Sequence, residues 1–113
     1  MNDWHSDLQV FKAEFFRALA HPVRIRLLEV LGRGEHSVQE LQQVLGLDQS
    51  VVSQQLAVLR GKNIVAPHKL GTTMHYALRD PLVTQLLKTA GEIFNHHLVG
   101  TQSMLRELRR EAR

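Results

Sequence analysis

The sequence predicts a small, mainly α-helical domain with a single β-hairpin. Apolar residues recur at helical spacing along most of the 113-residue chain, whereas residues 64–78 contain two strand-like runs on either side of a glycine turn. Hydrophobic residues make up 43% of the chain, which is enough to form a core. The length fits one domain, or one protomer of an intertwined dimer.

Two helices are predicted at the start of the chain, separated by a His-Pro pair. The apolar residues of the first recur at helical spacing within residues 1–19: Leu8, Phe11, Phe15 and Leu19. Pro22 suits the first position of the second helix, and Gly32 and Gly34 end that helix.

Residues 37–62 predict two further helices joined by a tight turn. Ser37-Val-Gln-Glu40 is a capping-box pattern, in which each side chain satisfies a backbone amide at the start of a helix. Gly46 ends this short helix, and Asp48 can cap the next one. Together they form a helix-turn-helix arrangement.

Residues 64–79 predict the hairpin, and a long helix follows it. Gly71 suits a turn position with positive φ. Whether the turn is Gly71-Thr72 alone or the four residues 70–73, His68 pairs with His75 across the strands. Asp80-Pro81 begins a helix with an apolar face over residues 81–98. We expect Gly100 to interrupt it and residues 101–113 to form a separate, charged tail helix. No second domain is predicted.

Positive charge is concentrated in one segment. Residues 49–79 contain four Lys and Arg residues and no Asp or Glu, so this segment carries +4. The whole chain carries +3 (14 basic minus 11 acidic residues), which leaves −1 for the remainder. A surface without carboxylates favours a polyanion, because phosphate contacts release condensed counterions without opposing repulsion. The expected partner is double-stranded DNA.

Two ordered motifs resemble those of a known family. Ala18-Leu19-Ala20-His21-Pro22-Val23-Arg24-Ile25-Arg26-Leu27-Leu28 is similar to the family opening "LA-x-P-x-R-x-x-I/L-L". Residues 47–59 are similar to its recognition helix, "L-S-Q-S-x-V-S-x-H-L-x-x-L". With the hairpin, the chain resembles the ArsR/SmtB family over about residues 15–98. The resemblance implies a dimeric winged helix-turn-helix repressor that leaves its operator when an effector binds, with its first and last helices (1–19 and 81–98) forming the dimer seam.

The fourth helix and the hairpin carry the candidate DNA contacts. Amides and hydroxyls that can bond bases or phosphates lie on one helix face: Gln49, Ser50, Ser53 and Gln54. Residues suited to phosphate contacts follow: Arg60, Lys62, Lys69, Gly71 and Thr72. The alternatives are an ordinary solvated helix face and a mobile turn.

The effector is open at this stage. The chain has no cysteine, and Ser37 and Gln39 stand where the thiolates of one family metal site would be. Counting from Asp80, the other family site would use Asp80, Leu82, Ile93 and His96, of which only two residues can bind metal. The best remaining candidates for nickel, zinc or cobalt are Glu92, His96, His97 and His5. The alternatives are a polar end of a dimer helix, a functional His68–His75 pair, and a small-molecule or protein effector.

These observations predict a homodimeric DNA-binding regulator, a repressor of its own or a neighbouring operon. The alternative is a winged-helix module that binds protein without specific DNA readout. No metal or cofactor is expected to be required for folding, and a catalytic role is not expected, because the sequence lacks a thiol nucleophile and a glycine-rich phosphate loop. The chain contains no stretch long enough to span a membrane and no secretory signal pattern, so cytoplasm is the expected location.

Overall fold

The computed structural model describes the backbone of residues 4–112 and the side chains of residues 7–112. The elements follow in the order α1 (Trp4–Leu19), α2 (Pro22–Leu31), β1 (His36–Ser37), α3 (Val38–Leu45), α4 (Gln49–Gly61), β2 (Val65–Leu70), β3 (Thr73–Leu78) and α5 (Leu82–Glu111). This order confirms the mainly α-helical fold with a hairpin after the fourth helix. Within these residues, every helix is too short or too polar to cross a lipid bilayer.

The chain divides after Val83 into two units. The first contains α1 to α4 and the sheet, and the second is α5 from Thr84 onwards. Val83 itself is buried in the first unit, with 7% of its surface exposed. Its side chain is therefore already covered within the protomer.

The core of the first unit lies among α2, α3 and α4. Their inward side chains are almost completely buried: Leu27, Leu28, Leu41, Val52, Leu56 and Leu59. Burying each such aliphatic side chain contributes about 1.5–3 kcal/mol. Leu41 and Leu45 are the buried residues of the short helix α3, whereas Val44 is 53% exposed.

Side chains at the starts of α2 and α3 satisfy free backbone amides. His21 Nδ1 accepts a hydrogen bond from the Val23 amide at 3.1 Å, and Pro22 occupies the first turn. Ser37 Oγ accepts from the Glu40 amide at 3.1 Å, while Glu40 Oε1 accepts from the Ser37 amide at 2.8 Å. The predicted capping box is confirmed. Hydrogen bonding of its carboxylate, first to the Ser37 backbone amide and then to the Ser37 side chain, lowers the pKa of Glu40 below its usual value.

The turn between α3 and α4 has the geometry that the helix-turn-helix prediction requires. Gly46 adopts a left-handed conformation with φ of 66°, and its amide donates to the Gln42 carbonyl. Asp48 occupies the N-cap position of α4, but its side chain makes no capping hydrogen bond. Its carbonyl instead accepts from the amides of Val51 and Val52.

The hairpin belongs to a three-stranded antiparallel sheet with the order β1-β3-β2. Gly71 has φ of 62° in the two-residue turn, and His68 pairs with His75, as predicted. The sequence prediction did not include β1. This strand has only two residues, His36 and Ser37, which pair with Tyr76 and His75, and it is too short to show an alternating pattern.

α5 is one continuous helix from Leu82 to Glu111, so the expected interruption at Gly100 and the separate tail helix over 101–113 are wrong. A glycine in a helix interior costs only about 0.5–1 kcal/mol relative to alanine, and the turns on either side outweigh this cost. Beside Gly100, Thr101 Oγ1 donates to the His97 carbonyl at 2.9 Å, and the helix continues through both residues. Asp80 Oδ1 accepts from the Leu82 amide at 2.9 Å at the start of the helix.

Candidate nucleic-acid interface

α4 presents one polar face to solvent. Val52, Leu56 and Leu59 are fully buried and thereby fix the rotation of the helix about its axis. The predicted contact residues all lie exposed in its N-terminal half: Gln49, Ser50, Ser53 and Gln54. Their amides and hydroxyls can donate to and accept from base edges.

The C-terminal end of α4 carries two cations in different surroundings. Arg60 is exposed and has no salt bridge within the described side chains. Lys62 Nζ donates to Glu14 Oε2 of α1 at 2.5 Å, and this contact lowers the pKa of Glu14. Lys62 must therefore exchange this carboxylate for a phosphate if it is to contact DNA.

The tip of the hairpin is exposed on both strands. Lys69, Gly71 and Thr72 all face solvent there, as expected for a wing. Leu70 and Met74 beside them are also 46% and 41% exposed, which the sequence reading did not consider. The exposed tip therefore carries one cation, Lys69, beside two apolar side chains.

His68 makes a second contact with a carboxylate among the described side chains. Its Nδ1 lies 2.6 Å from Oε1 of Glu35, the residue directly before β1. Glu14 and Glu35 lie outside segment 49–79, yet the fold brings both carboxylates to it. They are 48 and 33 positions from their partners, so no local sequence pattern could have revealed these contacts.

Three of the four candidate metal ligands lie on α5. Glu92, His96 and His97 are all exposed on α5, whereas the side chain of His5 lies outside the described residues. Among the described side chains, no group of three or more His, Asp or Glu residues is arranged to hold a metal ion. The metal hypothesis at these residues stays a prediction, since further ligands would have to come from a second copy.

Comparison with known proteins shows to which family the chain is related. A model described as a helix-turn-helix domain matches residues 19–68. The chain is 42% identical to the HTH-type transcriptional regulator Rv0081 of Mycobacterium tuberculosis over 90% of each protein. Its crystal structure superimposes with a TM-score of 0.77 over 82% of this chain and 94% of that one. A Synechocystis protein named transcriptional repressor SmtB homolog is 38% identical over 71% of this chain and 61% of its own length.

The chain belongs to the ArsR/SmtB family of winged helix-turn-helix transcriptional regulators. The fold agrees with the solution structure of a homodimeric winged helix-turn-helix domain, a possible ArsR-family regulator from Mycobacterium bovis. The two superimpose with a TM-score of 0.78 at 24% identity, over 87% of this chain and 91% of that one. As a member of this family, the protein is a DNA-binding transcriptional regulator. The names of its relatives favour this reading over a protein-interaction module.

Proposed function

We propose that a homodimer of this ArsR/SmtB-family protein represses transcription by binding an inverted-repeat operator. The observation that carries the proposal is the exposed polar half of α4, which has no acidic residue of its own and lies in a helix fixed by three buried side chains. One such helix per protomer reads one half-site, and a two-fold symmetric dimer reads two.

In this proposal, Gln49, Ser50, Ser53 and Gln54 read base edges in the major groove. Gln can pair with adenine through two hydrogen bonds, which selects one base over the others. Arg60, Lys62 and Lys69 neutralise phosphates, and Gly71 and Thr72 bring the wing backbone close to the DNA. The phosphate contacts supply affinity and orientation, while the α4 contacts supply sequence preference.

Exposed apolar side chains on α1 and α5 support a homodimer. Phe11 and Phe16 of α1 are 74% and 56% exposed, and Ile93, Phe94 and Leu98 of α5 are each about 60% exposed. Several large apolar residues exposed on a helix are typical of a surface that a partner covers, and α1 and α5 each carry such residues. A second copy of the chain is the proposed partner.

The α4 readout is tested by replacing Gln54. Gln54→Ala should lower affinity for the preferred operator by about 1–3 kcal/mol and leave affinity for random DNA almost unchanged. Gln43→Ala on α3 is the matched control, since Gln43 is an exposed glutamine outside the proposed contact set. Fluorescence anisotropy on both DNAs measures the effect. Equal losses on the two DNAs would contradict direct readout by Gln54.

We also propose that a divalent nickel, zinc or cobalt ion is the effector, held by Glu92 and His96 with further ligands from the second protomer. Glu92 and His96 are four residues apart on α5 and therefore share a face of that helix. Titration calorimetry should show binding that His96→Ala abolishes while metal-free DNA affinity is retained. An unchanged metal affinity in the variant would place the site elsewhere.

A further inference from the structure

A cavity in the first unit lies outside the proposed base-reading face. It measures about 340 Å³ and is formed by α1, α2 and the C-terminal end of α4 with its cap: its lining residues are Glu14, Arg17, Ala18, Arg24, Val58 and Lys62. Its volume lies at the lower end of the range of about 300–1,000 Å³ that is typical of small-molecule sites.

The charges around this cavity are unbalanced. Arg17, Arg24 and Lys62 contribute three positive charges, and Glu14 contributes one negative charge. Lys62 is bonded to Glu14, whereas neither arginine has a salt bridge within the described side chains. The cavity therefore keeps a net charge of +2 after its internal ion pair is counted, which favours an anionic ligand.

Arg24 has an unused donor in this wall. Its Nε atom is buried from solvent and has no hydrogen-bond partner among the described residues. A buried donor without a partner costs about 1–3 kcal/mol, more for a charged group, so a rotation of the guanidinium group that brings it against a ligand oxygen would remove that cost. The planar guanidinium group matches a carboxylate or a phosphate through two parallel hydrogen bonds.

The remaining wall is apolar. Ala18 is 4% exposed and Val58 is 37% exposed, so a ligand's carbon atoms can pack beside its charged group. This combination favours an organic anion over a bare inorganic ion. Val58 belongs to α4, and Lys62 caps its C-terminal end, so a ligand here contacts the same helix that carries the DNA-facing residues.

We propose that this cavity binds a small organic anion through a carboxylate or phosphate group held by Arg24 and Arg17, with Lys62 exchanging Glu14 for the ligand. The site differs from the metal site on α5. Its ligand and a DNA phosphate would compete for Lys62, so binding of the ligand is measured without DNA.

The test is titration calorimetry of the full chain without DNA in 150 mM sodium chloride. Succinate carries carboxylates and glycerol 3-phosphate carries a phosphate, so the two compounds distinguish the anionic groups. Inorganic phosphate tests whether the ligand needs a carbon frame, and neutral succinamide tests whether it needs a charge. At least one of the two organic anions should bind with a Kd below about 1 mM and more tightly than both of these comparators. Failure of both organic anions to bind in this range, or binding no tighter than that of inorganic phosphate or succinamide, would overturn the proposal.

Four variants separate ligand contact from an effect on folding. Arg24→Gln and Arg17→Gln should each weaken binding by about tenfold or more, the factor expected for a lost charged hydrogen bond. Arg17 is exposed, so its variant tests the site even if Arg24→Gln fails to fold. Arg26→Gln, on the same helix as Arg24 but outside the cavity, is the matched control and should bind as the native chain does.

Glu14→Gln should act in the opposite direction. Removing the carboxylate that competes for Lys62 should tighten anion binding by up to about fivefold, the range of an exposed ion pair. A merely structural ion pair would not give this gain. Equal affinities in the Arg24, Arg17 and Arg26 variants, or weaker binding in Glu14→Gln, would overturn the proposed site.

Discussion

Gln54 and Lys69 are both exposed polar residues of the proposed interface, but they do different physical work. Gln54 lies on a helix that three buried side chains hold in place, so its Cα–Cβ bond points in a defined direction. Lys69 lies next to a hairpin turn at the end of β2, and its ammonium group acts as a mobile point charge. Base readout needs the first property, and phosphate neutralisation needs only the second.

Lys69→Ala should therefore weaken binding to all DNA sequences. Removal of one phosphate contact should reduce the slope of log affinity against log salt concentration by about one. Affinity measured at several salt concentrations on operator and random DNA checks this. A loss confined to the operator, with an unchanged salt slope, would show that Lys69 reads sequence instead.

Glu40 links local capping to pH. Its pKa is lowered by hydrogen bonds from Ser37, so the native state binds fewer protons than the unfolded state just below the usual glutamate value of 4.5. Its stabilising contribution is therefore fully present above pH 4.5 and is lost as pH falls through the lowered pKa. Glu40→Gln should lower the melting temperature at pH 7, and its difference from the native chain should shrink below pH 4.5.

Glu29→Gln is the control for this measurement, since Glu29 is exposed on α2 and belongs to no capping box. Thermal melts followed by circular dichroism between pH 3 and 7 provide the comparison. A difference between Glu40→Gln and the native chain that stays constant over this range would contradict the charged capping contact.

At the scale of secondary-structure elements, local sequence patterns predicted the structure correctly where neighbouring residues determine the backbone conformation. The capping box at Ser37 and the glycine turn at Gly71 were predicted from sequence because both depend on neighbouring residues. β1 could not be predicted, because its two residues become a strand only when β3 lies beside them. The cavity between α1, α2 and α4 and the Lys62–Glu14 contact likewise depend on tertiary packing.

At Gly100 a local pattern gave a wrong prediction, because a single glycine was expected to end a helix that continues through it. Gly100→Ala should stabilise α5, because no atom outside the helix backbone lies within 4 Å of the added methyl group. The expected gain is about 0.5–1 kcal/mol, and slower amide hydrogen exchange near residue 100 would report it. Faster exchange in the variant would indicate that the helix needs flexibility at this point.

At the scale of the whole molecule, the proposed dimer explains why large apolar side chains remain exposed on α1 and α5. Phe94→Glu should weaken self-association, because the carboxylate would have to be buried in the interface. Sedimentation equilibrium at micromolar concentration should then show a monomer, whereas the native chain should sediment as a dimer. Val44→Glu on α3 is a control, since Val44 is 53% exposed but lies outside the proposed seam.

The same molecular scale sets the operator geometry. One α4 per protomer and a two-fold axis between protomers predict two identical half-sites in opposite orientation, with their centres about 10 bp apart. The symmetry of the operator therefore depends both on dimerisation and on DNA reading by α4, so one experiment can test all three.

Selection of binding sequences from a random DNA library by the purified native chain tests this claim most directly. The enriched sequences should share an inverted repeat with half-site centres about 10 bp, or one helical turn, apart. Enrichment of a single half-site, of direct repeats, or of no common sequence would contradict a homodimer that reads DNA through α4.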